Sequence, residues 1–502
     1  MKKRTIYHVL VGLGFFLTSV ICSVCSWTSL TFGVGLDEII FTLAVPMKGA
    51  NMAPVLSAMI YCLPQILLVS GAYALFAVMD TRSKFSVKIL VKLKKRIAEL
   101  ELQKILRPAV AIASVVAILL SLVYCNKTYD FTGYIKSKNS LSTIYEDYYV
   151  DPEGVTFTVT NENGEYKNLI YIFLESMETT YTSKENGGNQ EVCHIPNLVS
   201  LANENVSFSN KTGLGGFHNT VGTGYTMGSL LSITSGVPFS FPVYGNSMNE
   251  REVFASGLTT LGDILEGFGY KQEFLCGSDA AYAGRYTYFR QHGNYKVFDL
   301  FVARRNGYVP EDYFEFWGIE DKYLYQIAKD ELTKLSAGDE PFNFTMLTVD
   351  THHTEGYLCD ICGDTYPTQT ENVVACADSQ LGEFIDWCKN QPFFEDTVIV
   401  ISGDHPRMDP FMVEDVDYYE RTVYNCFIGA EKEASLTSNR TFASIDMFPT
   451  TLSAMGFSWG SSRLGLGTDM FSGEQTLAEQ LGFEYLDAEL AKKSQYYIKN
   501  FY

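Results

Sequence analysis

The chain has no excess of positive charge. Its 38 lysines and arginines face 58 aspartates and glutamates, giving a formal net charge of −20 and an isoelectric point near 4.8. Nucleic-acid backbones are bound through many Lys and Arg contacts, so this balance argues against a DNA- or RNA-binding protein. Internal repeats and low-complexity tracts are also absent, which removes repeat architectures from consideration. Outside the apolar N-terminal part, C-x-x-C occurs only as Cys359-Asp-Ile-Cys362. A zinc site built from paired motifs therefore lacks its second half. In an oxidising compartment a local disulfide is the expected reading.

What is present divides unevenly. Met1 to Arg107 holds 13 basic and 5 acidic residues, so the remainder carries the negative charge. Three uncharged apolar stretches fall in this first part, about 7–33, 56–79 and 108–125. Their lengths suit the ~17–25 residues of a membrane-spanning helix. A cleaved signal peptide fits the first one poorly, because the run is long and has no clear small-x-small site. Lys2, Lys3 and Arg4 precede the first stretch, and nine Lys and Arg lie between Arg82 and Arg107. The positive-inside rule then places the N-terminus and the basic loop in the cytoplasm, and the chain beyond Cys125 outside. Within that loop, residues 87–106 read as an amphipathic helix on anionic lipid. The expected organisation is a membrane domain over 1–125, a connector over 126–166, an α/β domain over 167–475 and a tail over 476–502.

Three apolar runs each end in residues suited to metal binding or proton transfer. Asn168–Leu174 delivers Glu175; Phe342–Val349 delivers Asp350, Thr351, His352 and His353; Thr397–Ile401 leads through Ser402-Gly403 to Asp404 and His405. Short β-branched runs of this kind read as buried parallel strands, and in such sheets ligands bind beyond the strand carboxyl ends. Helical patterns at 195–203, 258–267, 372–390 and 443–455 alternate with them, so a mostly parallel sheet between helical layers is expected.

Gly222-Thr-Gly-Tyr-Thr226 precedes a helix that runs to about Ser235. A hydroxyl there lies where backbone N–H groups favour an anion, and a nearby cation makes it a better nucleophile. Read locally, Thr226 is more simply a helix cap.

Taken in order, Asn168–Met177, Gly222–Thr226, Asp350–His353 and Ser402–His405 resemble the motif series of the lipoteichoic acid synthase and phosphoglycerol transferase family. These are sulfatase-fold members of the alkaline phosphatase superfamily. Phe274–Arg285, Tyr288–Gly293 and Arg463–Ser472 resemble the branch that modifies periplasmic glucans. The resemblance implies a metal site of Glu175, Thr226, Asp404 and His405, with Thr226 the nucleophile and His353 an acid/base group. It further implies that His352, Asp279, Arg285 and Arg290 bind substrate. The cation would be Mn²⁺ by analogy, with Mg²⁺ or Zn²⁺ suited to the same ligands. The donor would be phosphatidylglycerol, and the acceptor a glycan or glycerophosphate polymer. The Cys/Ser-x-Pro-x-Arg signature of sulfatases proper is missing, which counts against sulfate-ester hydrolysis. Lipoteichoic acid synthases commonly carry five spans, against three here. The rival readings are a lipid phosphoethanolamine transferase, a phosphodiesterase-type hydrolase and a non-catalytic lipid-binding relative.

Overall fold

The computed structural model describes residues 2–32, 35–36, 38–40, 52–82, 88–93, 96–159, 166–240 and 253–501. Two compact units emerge: Met1–Phe32 with Met52–Ile135, and Gly33–Asn51 with Lys136–Tyr502.

The first unit is built on helices α1 (Lys2–Thr31), α2 (Ala53–Thr81) and α3 (Leu102–Tyr129). Each contains a stretch long and apolar enough to cross a membrane. Leu67, Leu68 and Leu120 point outward and are exposed, an arrangement that suits lipid and not water. Polar groups turn inward instead. The buried Asp80 carboxylate accepts from Arg107 Nε at 2.9 Å and lies 2.9 Å from His8 Nε2, so its charge is paired.

Between α2 and α3 the expectation of a helix over 87–106 holds only for 102–106, the start of α3; residues 87, 94 and 95 lie outside the described residues, and the rest is extended. Lys88–Leu93 (β1) and Arg96–Glu101 (β2) pair antiparallel, with Lys88 opposite Glu101 and Leu93 opposite Arg96. Ile89, Val91 and Ile97 are β-branched and favour extended backbone, and twenty residues at one lipid face hold a helix only if packing supports it.

The second unit contains a six-stranded sheet. Its strands are β3 (Asn168–Leu174), β4 (Lys271–Cys276), β5 (Lys296–Phe298), β6 (Phe342–Leu347), β7 (Thr397–Gly403) and β8 (Asn425–Ile428). They lie in the order β5-β4-β6-β3-β7-β8. All neighbours are parallel except β7 and β8. The expected α/β fold with a mostly parallel sheet is therefore present. The three strands whose ends matter most, β6, β3 and β7, are adjacent at its centre.

Helices cover both faces: α4 (Pro196–Glu204), α5 (Thr226–Ser235), α6 (Leu261–Gly267), α7 (Arg285–Gln291), α8 (Asp321–Leu335), α9 (Gln369–Lys389) and α10 (Met447–Ala454). Alternation along β3 divides its side chains between two cores. Leu169, Tyr171 and Phe173 pack with α5 and α10 residues, and Ile170, Ile172 and Leu174 pack with α8 and α9 residues. Each such side chain contributes about 1.5–3 kcal/mol on burial. A capping box, Thr368 with Glu371, starts α9. Two turns further in, its buried Asp378 accepts the N–H groups of Asn197 and Leu198 at 2.9 Å and so caps α4.

The stretches read as connector and tail are more ordered than their composition implies. Ile144–Tyr148 and Gln495–Asn500 are helical, and Tyr145 packs edge-on against Tyr497 and Phe501. Thr158–Val159 pairs with Phe457–Ser458. Neither stretch has a sustained period because each is a short piece docked on distant residues.

Candidate active site

Glu175 follows the last residue of β3. Its backbone N–H donates to Thr348 Oγ1 at 3.0 Å, and the next residue, Ser176, adopts φ 52°, a left-handed conformation costly for serine. That turn aims the Ser176 N–H at Asp404 Oδ1 (2.7 Å) and its hydroxyl at Glu175 Oε1 (2.7 Å). One small residue thus orients both carboxylates.

Asp404 and His405 follow β7. Gly403 before them packs so tightly that a Cβ would fall 2.0 Å from the Met177 carbonyl oxygen, so no larger residue fits. Asp404 Oδ1 also accepts the His405 N–H at 2.8 Å. His405 Nδ1 donates to the Pro406 carbonyl at 2.8 Å, which leaves Nε2 facing the carboxylates, 3.5 Å from Glu175 Oε1 and 3.4 Å from Asp404 Oδ2.

Thr226 opens α5, with Tyr225 as N-cap. The bend before it depends on Gly222, whose φ is 78° and whose Cβ would lie 2.1 Å from the Phe239 carbonyl oxygen. The Thr226 hydroxyl donates to Glu175 Oε2 at 3.2 Å and stands 3.4 Å from His405 Nε2. A purely capping role would leave it on its own helix; here it faces the acids.

The donor set fits a divalent cation. Ligand atoms of Glu175, Asp404 and His405 lie within 4.8 Å of one another, all buried. Asp404 Oδ2 is buried with no hydrogen-bond partner, a costly state for a carboxylate unless something positive meets it. Burial and then the Glu175 charge push the Asp404 carboxyl up to about 7. Burial works the same way on Glu175, but His352 and His405 together with hydrogen bonds from Ser176 and Thr226 outweigh it and hold Glu175 below its ordinary value. Burial lowers His405, whereas Asp404 and Glu175 raise it, and the rise prevails.

The β6 end supplies the other histidines. Its first acid, Asp350, turns away from the cluster towards Asp321, whose N–H donates to Asp350 Oδ2 at 3.1 Å. Burial raises both carboxyls: the Asp321 charge adds to it on Asp350, and Cys359 and Glu175 add to it on Asp321, which reaches about 7. Thr351 Oγ1 donates to the Glu175 carbonyl at 2.5 Å. The rings of His352 and His353 lie against each other at a 30° tilt, centroids 4.1 Å apart, with the Trp317 ring 4.6 Å from that of His352. Burial, then repulsion from the positive charge that His352, His405 and Arg407 can carry, holds His353 far below its ordinary value, so it is a neutral imidazole at pH 7.

Glu175, Thr226, Asp404, His405 and the His352–His353 pair therefore gather at the carboxyl edge of the central strands. The remaining residues named from the sequence, Asp279, Arg285 and Arg290, lie on the chain that follows β4, where backbone groups are among their partners. Arg285 donates to the carbonyls of Tyr282 and Asp279 and to Ser278 Oγ. Arg290 donates to the Tyr295 carbonyl at 2.9 Å. Asp279 accepts the Ala281 N–H at 2.9 Å. All three stabilise the chain turn around α7.

Sequence reasoning missed the supports. Ser176 is one. Arg407 is another: fully buried, it is paired with Asp409 and donates Nη1 to the Thr351 carbonyl at 3.1 Å. Glu178 accepts from the Arg407 N–H at 2.9 Å and from Arg421 Nε at 2.9 Å. The signal available was proximity, since Arg407 and Asp409 directly follow Asp404-His405.

Comparison with known proteins agrees with this architecture. Residues 167–457 match the sulfatase family model. Phosphoglycerol transferase I of Salmonella choleraesuis is 31% identical over 321 residues, 62% of this chain and 40% of that protein. Phosphoglycerol transferase I of Salmonella typhi matches to the same extent, so the chain spans two fifths of the length of these relatives. Among solved structures, the integral membrane lipooligosaccharide phosphoethanolamine transferase A of Neisseria meningitidis superposes with a TM-score of 0.50 at 14% identity, over 93% of this chain and 87% of that one. That likeness speaks to the fold. With the family match spanning more than half of its length, and with an acid, hydroxyl and imidazole cluster at the matching strand ends, the chain belongs to the sulfatase family.

Proposed function

We propose that the protein is a membrane-anchored, metal-dependent phosphoglycerol transferase. The observation that carries the reading is the Thr226 hydroxyl at a helix N-terminus, aimed at a buried carboxylate and imidazole set with an unsatisfied oxygen. A binding module has no use for a nucleophile so placed. The 31% identity to proteins named phosphoglycerol transferase I supports phosphoglycerol as the transferred group.

Glu175, Thr226, Asp404 and His405 would hold one divalent cation, with Mn²⁺ favoured by family analogy. Such an ion neutralises phosphoryl charge and lowers the proton affinity of a coordinated hydroxyl. Thr226 Oγ1 attacks the phosphorus of phosphatidylglycerol as the bond to the diacylglycerol oxygen breaks. The Thr226 proton, held towards Glu175 Oε2, is passed on through His353 or a water that it orients, and ends on the diacylglycerol oxygen. A glycerophospho-threonine remains. In the second half an acceptor hydroxyl on a glycan or glycerophosphate polymer attacks the same phosphorus. Neutral His353 is suited to take the acceptor's proton, which returns to Thr226. Two in-line displacements give net retention at phosphorus. Placing the site outside the cell membrane, with its anchor beside the donor lipid, raises the effective donor concentration.

The test uses purified full-length protein, Mn²⁺ and head-group-labelled phosphatidylglycerol. Diacylglycerol release and a glycerophosphate adduct on Thr226, detected by mass spectrometry, are expected in wild type. Thr226→Ala should lose roughly 10³-fold or more in turnover and show no adduct. Substantial turnover in that variant would remove Thr226 from its role. Release from a phosphoethanolamine lipid in place of phosphatidylglycerol would reassign the donor.

A further inference from the structure

The loop that carries His352 and His353 runs on into a second reactive cluster that phosphoryl transfer leaves unused. Cys359 and Cys362 lie on a turn in which the Cys362 N–H donates to the Cys359 carbonyl at 3.1 Å. Their sulfurs are 3.3 Å apart. Cys376, from the second turn of α9, brings its sulfur to 4.0 Å from that of Cys359. All three sulfurs lie within 4.8 Å of one another. Cys359 and Cys376 are buried and Cys362 is half-buried, so the cluster has one accessible side.

Two features distinguish this cluster from chance packing. First, the sulfur separations bracket the ~3.8 Å expected between thiolates that share one tetrahedral ion at ~2.3 Å. Second, Gln380 lies on the next turn of α9 with Nε2 3.4 Å from the Cys376 sulfur, while its Oε1 is buried with no hydrogen-bond partner. Turning that amide over would present an oxygen to the cluster in place of a nitrogen.

We infer that Cys359, Cys362 and Cys376 form a three-thiolate site for a thiophilic d¹⁰ cation of the Zn²⁺ class, with Gln380 Oε1 or water in the fourth position. The local disulfide expected from Cys359-x-x-Cys362 would use two sulfurs and leave the third, buried thiol of Cys376 against it. An ion uses all three. No electrons are transferred: each thiol that binds as thiolate gives its proton to solvent. The ion would fasten the loop after β6 to α9. That fastening would add to the Gln369 amide, which already donates to the Gly356 carbonyl at 2.8 Å, and to the Asn372 side chain, which donates to the Tyr366 carbonyl at 2.8 Å. The site is separate from the Glu175–Asp404–His405 cluster and does not depend on the phosphoglycerol reading.

Cd²⁺ is the probe, because its thiolate complexes have an ultraviolet charge-transfer band that carboxylate sites lack. Full-length protein is taken from membranes without reductant, stripped with chelator and titrated with Cd²⁺. Wild type and Asp404→Asn should both show the band, saturating at one equivalent. Cys376→Ser and Cys362→Ser should lose it; the half-buried Cys362 position carries the test should Cys376→Ser not fold. Absence of the band in wild type would overturn the inference. So would recovery of a Cys359–Cys362 disulfide-linked peptide from the protein as isolated. Because Asp404→Asn keeps the band while losing the other cation site, failure here is distinguishable from failure of the proposed reaction.

Discussion

At the scale of single residues, Asp404 offers the cleanest separation of chemistry from folding. Its Oδ1 already accepts two N–H groups, from Ser176 and His405, while Oδ2 meets no donor. Asp404→Asn can keep both bonds on its amide oxygen and place its NH₂ where the unsatisfied oxygen was. The variant should therefore fold, with a metal-free melting temperature equal to or above that of wild type, and should fail to retain Mn²⁺. Calorimetric titration with Mn²⁺ beside a thermal melt in chelator checks both halves. Unchanged Mn²⁺ affinity would detach Asp404 from the cation site. Identity and position pointed to Glu175, Asp404 and His405, because acids and an imidazole at strand ends have few structural uses, whereas Thr226 rose above a helix cap only through the family resemblance. It did not reveal what Arg285 and Arg290 do. A guanidinium serves a phosphate or a backbone carbonyl equally well, and only its neighbours decide.

At the scale of elements, the edge of the sheet stores a pH dependence. Glu273 of β4 lies opposite Lys296 of β5, whose Nζ donates to it at 3.1 Å, and beside Glu331 of α8. Burial, then the Glu331 charge, outweighs Lys296 and raises the Glu273 carboxyl from 4.5 to about 7. A carboxyl raised in the folded state binds more protons there than in the unfolded chain. Its ionisation therefore imposes no cost below pH 4.5. The cost grows as pH climbs to about 7 and is constant above. Glu273→Gln removes the ionisation and keeps an acceptor for Lys296. At pH 8 the variant should be more stable than wild type by about 1–3 kcal/mol, and at pH 4 no more stable. Urea melts at the two pH values measure this; equal gains at both would exclude the titration.

Element identity was legible wherever local pattern and tertiary use agreed. The helix from Thr226 to Ser235 and the long helix over 369–389 lie where the period placed them. Residues 88–93 and 96–101 are the counter-example, forming paired antiparallel strands where a helical period was read. Lys and Leu spaced along a basic stretch satisfy both periods, and cross-strand pairing is a choice that no single window of sequence records.

At the scale of the whole molecule, charge is segregated along the chain, and that segregation predicts orientation. Reporter domains inserted between Arg82 and Lys104 should be active only in the cytoplasm, and reporters fused after Tyr502 only outside. The reverse pattern would invert the proposed topology and place the site away from a cell-envelope acceptor. Extraction of the full chain should also require detergent, as the outward-facing Leu67, Leu68 and Leu120 imply.

The sequence by itself determined the three lipid-length apolar helices, the class of the second unit and the residue types at its central strand ends. These depend on chain-local quantities: run length, period and the position of a polar residue after an apolar run. Tertiary structure alone decided which of those residues meet. Thr226 reaches Glu175 across 51 positions and His405 across 179, and Tyr145 finds Tyr497 near the far end of the chain. It also turned Asp350 away to Asp321, engaged two arginines on backbone carbonyls, and brought a third thiol to Cys359 and Cys362. Such meetings are set by how parallel strands register and how helices pack over them, and these are properties of the assembled sheet.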